Sequence, residues 1–134
     1  KGCTSKEITS IQQGKDTCHI FEGFMDYLSF LTLRYKNSPL CPNTDKQDYF
    51  ILNSISNLPK VLDKLGAYEY ISCFLDNDEA GYRACQRIQQ MYGSRVSDQS
   101  KHYRGHKDLN DYLCQLPTPK PLIRKRNIGI KRRL

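Results

Sequence analysis

The run Cys73-Phe74-Leu75-Asp76-Asn77-Asp78-Glu79-Ala80-Gly81 decides the fold, because an apolar stretch ends abruptly in acid and a helical pattern follows at once. Residues 69–75 are mostly apolar or aromatic on both faces, as expected for a buried strand of a parallel sheet. Ligands of open α/β sheets bind at the carboxyl ends of the strands, where Asp76 and Asp78 point the same way. We therefore predict an α/β core with a divalent-cation site at this strand end.

Length and composition are those of one globular domain. The chain has 134 residues, of which 38% are hydrophobic and 26% charged, enough to bury a single core. No apolar run approaches the roughly 20 residues that a membrane helix needs, so we expect no membrane association. The chain begins with Lys1 and shows no charged-then-apolar leader, so we expect an excised module without a signal peptide.

The formal net charge of +7 comes from the carboxyl-terminal end. Residues 120–134 contain no acid and 7 of the 21 basic residues, namely Lys120, Arg124, Lys125, Arg126, Lys131, Arg132 and Arg133. We predict a basic tail over residues 118–134, in which Arg124, Lys125 and Arg126 bind nucleic-acid phosphates in a salt-sensitive way. A solvated chain end without a partner is the alternative.

The six cysteines include no Cys-x-x-Cys pair. Cys18 and Cys73 fall within predicted buried strands, which favours reduced thiols in the core over a disulfide framework. The expected location is therefore the cytoplasm.

Strands and helices are predicted to alternate on both sides of the central run. The predicted strands are residues 17–21, 49–52, 69–75 and 95–97, and residues 1–16 are a lead-in with a possible edge strand at 7–12. The predicted helices are residues 24–35, 58–65 with Asn57 as N-cap, a segment packing through Ala80, Ala84, Ile88 and Met91, and a last one from Asp108 to Pro117. Residues 37–48 are predicted to form a loop. About four mainly parallel strands with helices on both faces follow from this order.

Three acidic pairs follow predicted strand ends: Glu22 with Asp26, Asp76 with Asp78, and Asp108 with Asp111. Each pair alone is typical of a turn, and Asp108 is a candidate helix cap. Three pairs at corresponding ends of one sheet instead favour a shared site for Mg²⁺ or Mn²⁺, because carboxylates are hard oxygen ligands. Glu22 beside other acids is expected to have a raised pKa, which suits proton transfer.

Basic side chains stand near these acids in the sequence. Arg83 and Arg87 lie four residues apart on a predicted helix and are candidates for nucleic-acid contact, with solvated surface arginines as the alternative. Lys107 precedes Asp108 and is a candidate to offset phosphate charge.

The strings Phe21-Glu22-Gly23-Phe24-Met25-Asp26, Leu75-Asp76-Asn77-Asp78-Glu79-Ala80-Gly81 and Lys107-Asp108-Leu109-Asn110-Asp111 resemble the three motifs of the Toprim domain. That domain is shared by bacterial primases, topoisomerases of types IA and II, small nucleases and recombination mediators. The resemblance runs from about Cys18 to Leu116 and is strongest to the primases of bacteria and mobile elements. It implies a Rossmann-like Toprim fold, with the domain expected over residues 17–117.

The resemblance implies roles for individual residues. Glu22 is then a general acid/base or metal ligand, Asp76 and Asp78 coordinate Mg²⁺, and Asp26 and Asp108 support them. The chain departs from the primase pattern at Asn110, where Asp is usual, so the third motif is expected to bind metal more weakly or through Asp111.

The resemblance also implies a function. We expect a module that joins nucleoside triphosphates on single-stranded DNA, together with zinc-binding or helicase modules elsewhere in the protein. A Toprim nuclease or topoisomerase fragment that cleaves phosphodiesters is one alternative, although the chain has no room for the separate domain that carries a topoisomerase's nucleophilic tyrosine. A non-catalytic DNA-binding module in recombination or mobilisation is another, and the presence of Glu22 argues against it.

Overall fold

The computed structural model describes residues 7–36 and 47–115. Its strands are β1 (Thr9–Ile11), β2 (Thr17–Phe21), β3 (Gln47–Ile51), β4 (Tyr70–Phe74) and β5 (Val96–Asp98). Its α-helices are α1 (Phe24–Tyr35), α2 (Leu58–Leu62), α3 (Glu79–Tyr92) and α4 (Leu109–Gln115). Short 3-10 turns at Ile55–Asn57, Asp63–Ala67, Gly93–Arg95 and Gln99–Tyr103 complete the connections.

The five strands form one sheet in the order β1-β3-β2-β4-β5. Strands β2 to β5 are parallel, and β1 runs antiparallel to β3 at the edge. Phe21 at the end of β2 is in register with Ile51 of β3 and with Phe74 of β4, so these three strands end at the same level. The predicted α/β class with a mainly parallel sheet is confirmed, and the edge strand brings the predicted four strands to five.

Each central strand sends alternate side chains to opposite faces of the sheet. Ile20 packs in one core with helices α2 and α3, whereas the next residue, Phe21, packs in another core with α1 and α4. Residues buried on both faces explain why these strands are apolar at nearly every position. The prediction of helices on both faces is confirmed.

Several predicted details are wrong. Asn57 occupies the predicted N-cap position of α2, but its side chain makes no capping hydrogen bond and instead donates to the Leu52 carbonyl oxygen at 2.8 Å. The regular helix ends at Leu62 rather than Leu65. On α3, Ala80 is exposed and Met91 is 49% exposed; the buried residues are Gly81, Ala84, Cys85 and Ile88. The buried stripe begins at Gly81 rather than Ala80, and Gly81 packs against the backbone of Asp76.

The strand boundaries also differ from the predicted ones. Strand β3 begins at Gln47, inside the predicted loop, whose first ten residues lie outside the described ranges. Strand β5 is Val96–Asp98 rather than residues 95–97. Strand β4 is buried at Ile71, Cys73 and Phe74 and half-buried at Ser72, whereas its first residue, Tyr70, is 61% exposed.

The segment before β2 is anchored by a buried carboxylate. Asp48 is 1% exposed, and its Oδ1 accepts hydrogen bonds from the backbone N–H groups of Gln13 at 2.8 Å and Lys15 at 3.3 Å. Its Oδ2 accepts from the Tyr68 hydroxyl at 2.7 Å. Asp48 therefore ties three segments together at the amino ends of the parallel strands.

The described cysteines are free thiols. Cys18, Cys73 and Cys85 are buried and Cys114 is exposed, while Cys3 and Cys41 lie outside the described residues. Within residues 7–36 and 47–115, no helix has the length and apolar character required to span a bilayer.

Candidate metal centre

The carboxyl ends of the strands carry the acids that the sequence singles out. Glu22 directly follows β2, Asp76 follows β4, and Asp108 lies just before α4 in the segment after β5. Asp26 lies in the first turn of α1 and is buried, with 5% of its surface exposed. The predicted convergence of distant acidic segments at one edge of the sheet is therefore present.

Three of these carboxylates form a tight group. One oxygen atom from each of Asp26, Asp76 and Asp108 lies within 4.8 Å of the other two. Oxygen ligands lie about 2.0–2.6 Å from Mg²⁺ or Ca²⁺, so three oxygens at this spacing can contact one ion. All three are among the predicted metal ligands, and the other two predicted ligands, Glu22 and Asp78, lie outside this group.

Asp76 supplies a second sign of a cation site. Its Oδ1 atom is buried and makes no hydrogen bond within the described structure. A buried polar atom without a partner destabilises the fold unless water or an ion satisfies it. The all-carboxylate donor set is also the one that Mg²⁺ and Mn²⁺ prefer, so these residues fit such an ion.

The crowding of acids changes their proton affinity. Burial, followed by the charges of Asp108 and Asp78, raises the pKa of Asp76 to about 6. Burial also raises the pKa of Asp26 to about 7, with Asp108 and Asp76 adding to the effect. Carboxylates that resist ionisation in the metal-free protein are stabilised by a divalent cation placed among them.

Glu22 lies beside this group rather than in it. Its Oε1 accepts a hydrogen bond from the backbone N–H of Asp76 at 3.3 Å. Burial raises the pKa of Glu22 to about 7, and the charges of Asp76, Asp78 and Asp26 act in the same direction. A carboxylate with a pKa near neutrality can both accept and release a proton, as predicted from its acidic neighbours.

Asp78 has a structural role that accounts for one of its oxygens. Its Oδ1 accepts from the backbone N–H of Gly81 at 2.8 Å and thereby caps the amino end of α3. An N-cap of this kind stabilises a helix by about 1 kcal/mol. The charge of Asp78 still contributes to the raised pKa of Asp76 and Glu22, so its predicted contact with metal stays a prediction.

Besides the Asp108 carboxylate, the third motif contributes contacts from Asn110 to helix α1. The backbone N–H of Asn110 donates to Asp26 Oδ1 at 3.1 Å, and Asn110 Oδ1 accepts from Ser29 Oγ at 3.0 Å. Asn110 thus positions Asp26 with its N–H. Asp111 accepts from the Lys107 N–H at 3.4 Å and lies 3.4 Å from His106 Nδ1, outside the three-carboxylate group.

Asn77 holds the second and third motifs together. Its Nδ2 atom lies within hydrogen-bonding distance of three backbone carbonyl oxygens, those of Ser100 (3.3 Å), Tyr103 (3.1 Å) and His106 (2.9 Å). Its own backbone N–H donates to the Lys107 carbonyl oxygen at 2.6 Å. These contacts fix the segment that leads to Asp108 against the end of β4.

Gly81 allows α3 to pack against the same strand end. A Cβ atom at this position would lie 2.1 Å from the carbonyl oxygen of Asp76. Only glycine permits that approach. Sequence reasoning missed these roles of Asn77 and Gly81. The available signals were an asparagine between two acids and a glycine inside a helix.

The predicted nucleic-acid residues are dispersed. Arg83 and Arg87 line a shallow groove of about 310 Å³ between α3 and the segment leading into α2. Arg83 pairs with Glu79 at 3.0 Å, but both side chains are largely exposed, so the pair contributes little to stability. Lys107 is exposed, and Arg124, Lys125 and Arg126 lie outside the described residues.

An open cleft of about 380 Å³ gives access to the acids. Its lining contains the acids Glu22, Asp26, Asp76 and Asp108, the apolar residues Phe24 and Met25, and also Gly23, Asn53, Ser54 and Asn110. The lining of the cleft therefore combines carboxylates that can hold a metal ion with two apolar side chains.

Comparison with known proteins adds two findings. The Toprim-like family matches residues 19–113, which is more than half of the chain. The crystal structure of the primase fragment of the bacteriophage T7 primase-helicase protein is similar, with a TM-score of 0.51 and 19% sequence identity. The similarity covers 75% of this chain and 39% of that one, and at this identity it shows a common fold. No curated protein matches the chain significantly.

Proposed function

This chain belongs to the Toprim-like family, and from that premise we propose that it is the catalytic module of a primase-like protein. The proposed reaction is metal-dependent transfer of nucleotides from nucleoside triphosphates to a growing primer on single-stranded DNA. The carboxylate group of Asp26, Asp76 and Asp108, with its buried unpartnered oxygen, is the observation that carries the proposal.

In this proposal the acids have separate tasks. Asp26, Asp76 and Asp108 hold Mg²⁺ or Mn²⁺, with Asp78 beside them. The bound ion would neutralise charge on the reacting phosphates. Glu22, whose pKa is raised to about 7, accepts the proton of the attacking 3′-hydroxyl at its carboxylate.

The basic residues supply the remaining contacts. We propose that Lys107, Arg83 and Arg87 contact phosphates near the cleft, and that Arg124, Lys125 and Arg126 of the tail 118–134 add affinity for the strand. The Toprim domain itself is taken as residues 17–117. A cytoplasmic location agrees with the free buried thiols Cys18, Cys73 and Cys85.

The full protein is proposed to contain further modules. The chain spans about two fifths of the T7 primase fragment, 39%, and the name of that relative joins a primase to a helicase. A flanking zinc-binding module, a helicase module or both would provide template recognition. We therefore expect little primer synthesis by the chain alone, and robust priming would contradict this division of labour.

The metal claim is tested by thermal unfolding. Mg²⁺ or Mn²⁺ should raise the melting temperature of the wild type and leave that of Asp76→Ala unchanged, because the variant removes the central ligand. Asp63→Ala is the matched control, since Asp63 is exposed in the 3-10 turn Asp63–Ala67 and is not one of the three clustered acids. Equal increases in the melting temperatures of wild type and Asp76→Ala would contradict the proposal that the ion binds at Asp76.

The reaction is tested by comparing two activities of one preparation. We expect the wild type to incorporate labelled nucleotides weakly on single-stranded DNA in the presence of metal. We expect Asp76→Ala to show no incorporation. Metal-dependent nicking of supercoiled DNA without incorporation would favour the nuclease or topoisomerase alternative. Binding of DNA with neither activity would favour a non-catalytic module in recombination or mobilisation.

A further inference from the structure

Phe24 differs from every other phenylalanine of the chain in its exposure. Phe21, Phe30, Phe50 and Phe74 are at most 3% exposed, whereas Phe24 is 47% exposed. Burying a phenylalanine side chain stabilises a fold by about 1.5–3 kcal/mol, and Phe24 forgoes much of that gain. About half of the ring is therefore accessible to a ligand.

The ring is supported on one side by aromatic residues of the core. Its centroid lies 5.8 Å from that of Tyr27, and the Tyr27 ring lies 5.8 Å from Phe21 and 5.1 Å from Tyr49. A ring backed in this way has few conformations to lose when a ligand covers its other side. The half-exposed ring of Phe24 is thus positioned by Tyr27 before a ligand binds.

The cleft joins this ring to the acidic cluster. Phe24 is the first residue of α1, two positions after Glu22, and Met25 beside it is 58% exposed. The cleft volume of about 380 Å³ falls within the roughly 300–1,000 Å³ of small-molecule sites. A ligand that fills it would place an anionic group, bridged by a cation, at the acids and a flat apolar group against Phe24.

We propose that Phe24 is a stacking platform for a nucleobase whose phosphates lie at the acidic cluster. The proposal deepens the proposed function and rests on it. A nucleoside triphosphate and a single DNA strand both carry this combination of phosphate and planar base. Stacking tolerates any base, since each has a π face, so the platform adds affinity without sequence preference.

The absence of tryptophan from the chain makes the contact directly measurable. Phe24→Trp introduces one indole into the cleft, and its fluorescence is followed during titration in Mg²⁺ with a ribonucleoside triphosphate, inorganic triphosphate, a single-stranded oligonucleotide and an abasic oligonucleotide. Tyr35→Trp is the matched control, because Tyr35 ends the same helix and is 86% exposed. Anisotropy of labelled oligonucleotides and competition by the triphosphates report binding independently.

Base-bearing ligands should quench Phe24→Trp, whereas inorganic triphosphate, the abasic strand and the Tyr35→Trp control should show no such quenching. Quenching by the nucleoside triphosphate alone assigns the platform to the incoming nucleotide, and quenching by the oligonucleotide alone assigns it to the strand. Binding without quenching, or equal quenching by inorganic triphosphate, overturns the platform and leaves the proposed function standing. No binding of any ligand overturns both.

A truncation gives a second readout that does not depend on fluorescence. Phe24→Ala should weaken binding of a base-bearing ligand about 10-fold, in line with the cost of losing one aromatic stacking partner, and leave the affinity for its base-free counterpart unchanged. Because Phe24 is already 47% exposed, its truncation should lower the melting temperature by less than truncation of a fully buried phenylalanine such as Phe21. Equal weakening for both ligands would show that Phe24 acts on the cleft as a whole and overturn the proposal.

Discussion

The side-chain nitrogen of Asn77 lies 2.9 Å from the carbonyl oxygen of His106, and this hydrogen bond links two acidic segments that are distant in the sequence. Asn77 also contacts the carbonyl oxygens of Ser100 and Tyr103. Asp108 follows this tethered segment, whereas Asp76 precedes Asn77 directly. The spacing of two clustered carboxylates therefore depends on a side chain that is not itself one of them.

Asn77→Ala should weaken Mn²⁺ binding about 10-fold, because loss of residues that orient metal ligands typically costs about 10- to 100-fold in affinity. Electron paramagnetic resonance of free Mn²⁺ measures this directly. Asn57→Ala is the matched control: it removes a buried hydrogen bond of 2.8 Å to Leu52 and should lower stability without changing Mn²⁺ affinity. If Asn77 acts through Asp108, the effect of Asn77→Ala should disappear in an Asp108→Asn background; an undiminished effect there would contradict the tether.

Gly81→Ala should destabilise the protein and disturb Asp76 at the same time. The added Cβ would lie 2.1 Å from the Asp76 carbonyl oxygen, a backbone atom that cannot move without shifting the strand end. Overpacking of this kind costs about 1–3 kcal/mol, visible as a lower urea midpoint, and the Mg²⁺-induced rise in melting temperature should shrink. Gly66→Ala is the control, since its Cβ would first meet the Tyr92 hydroxyl at 3.4 Å; equal losses in both variants would show that close packing at Asp76 is unimportant.

Asp48 should make stability fall in acid. Burial alone would raise the pKa of Asp48, but hydrogen bonds from Tyr68, Gln13 and Lys15 outweigh it and hold the pKa below its ordinary value. The folded state thus favours the ionised form, so this contribution is present above the ordinary pKa of about 4 and is lost as pH falls through the lower folded value. Urea unfolding between neutral pH and pH 3 should show a shallower acid-induced loss for Asp48→Asn, and an identical slope in both proteins would exclude Asp48 as its source.

Removal of residues 120–134 should weaken binding to single-stranded DNA and flatten its dependence on salt. Every phosphate that the shortened chain no longer neutralises should lower the slope of log affinity against log salt by about 0.7 for a single strand. Fluorescence anisotropy at several salt concentrations measures this slope. The double variant Arg83→Gln, Arg87→Gln provides the comparison, because it tests the groove on α3. If removal of the tail leaves the slope unchanged, the tail does not bind phosphates, and phosphate binding is assigned to the groove instead.

Strand and helix positions were largely accessible from local sequence. Strand Thr17–Phe21 and helix Phe24–Tyr35 begin and end where the patterns of alternating and buried residues place them. The prediction failed where helices depend on their neighbours. Asn57 has the composition of a cap, yet its amide satisfies the Leu52 carbonyl oxygen instead, because that buried oxygen lies within reach.

The kinds of residue in the candidate site could be predicted, but their grouping could not. Acids after strand ends are visible in the sequence, and a parallel sheet brings such ends to one edge. The predicted ligands were Glu22, Asp26, Asp76, Asp78 and Asp108. The structure brings Asp26, Asp76 and Asp108 into one tight group and uses one oxygen of Asp78 to cap α3. The spacing of Asp76 and Asp78 gives their positions along the strand end. It does not show that one oxygen of Asp78 binds the amino end of α3 instead of remaining free for an ion.

Hydrophobic periodicity is a property of neighbouring residues, and it was sufficient for the α/β class and the parallel sheet. The family followed from the resemblance of three acidic strings to known motifs. Distances between carboxylate oxygens depend instead on strand register, on the approach of α3 through Gly81 and on the carbonyl contacts of Asn77. Those contacts join segments far apart in the chain, so the identity of the three clustered acids became known only once the folded packing was known.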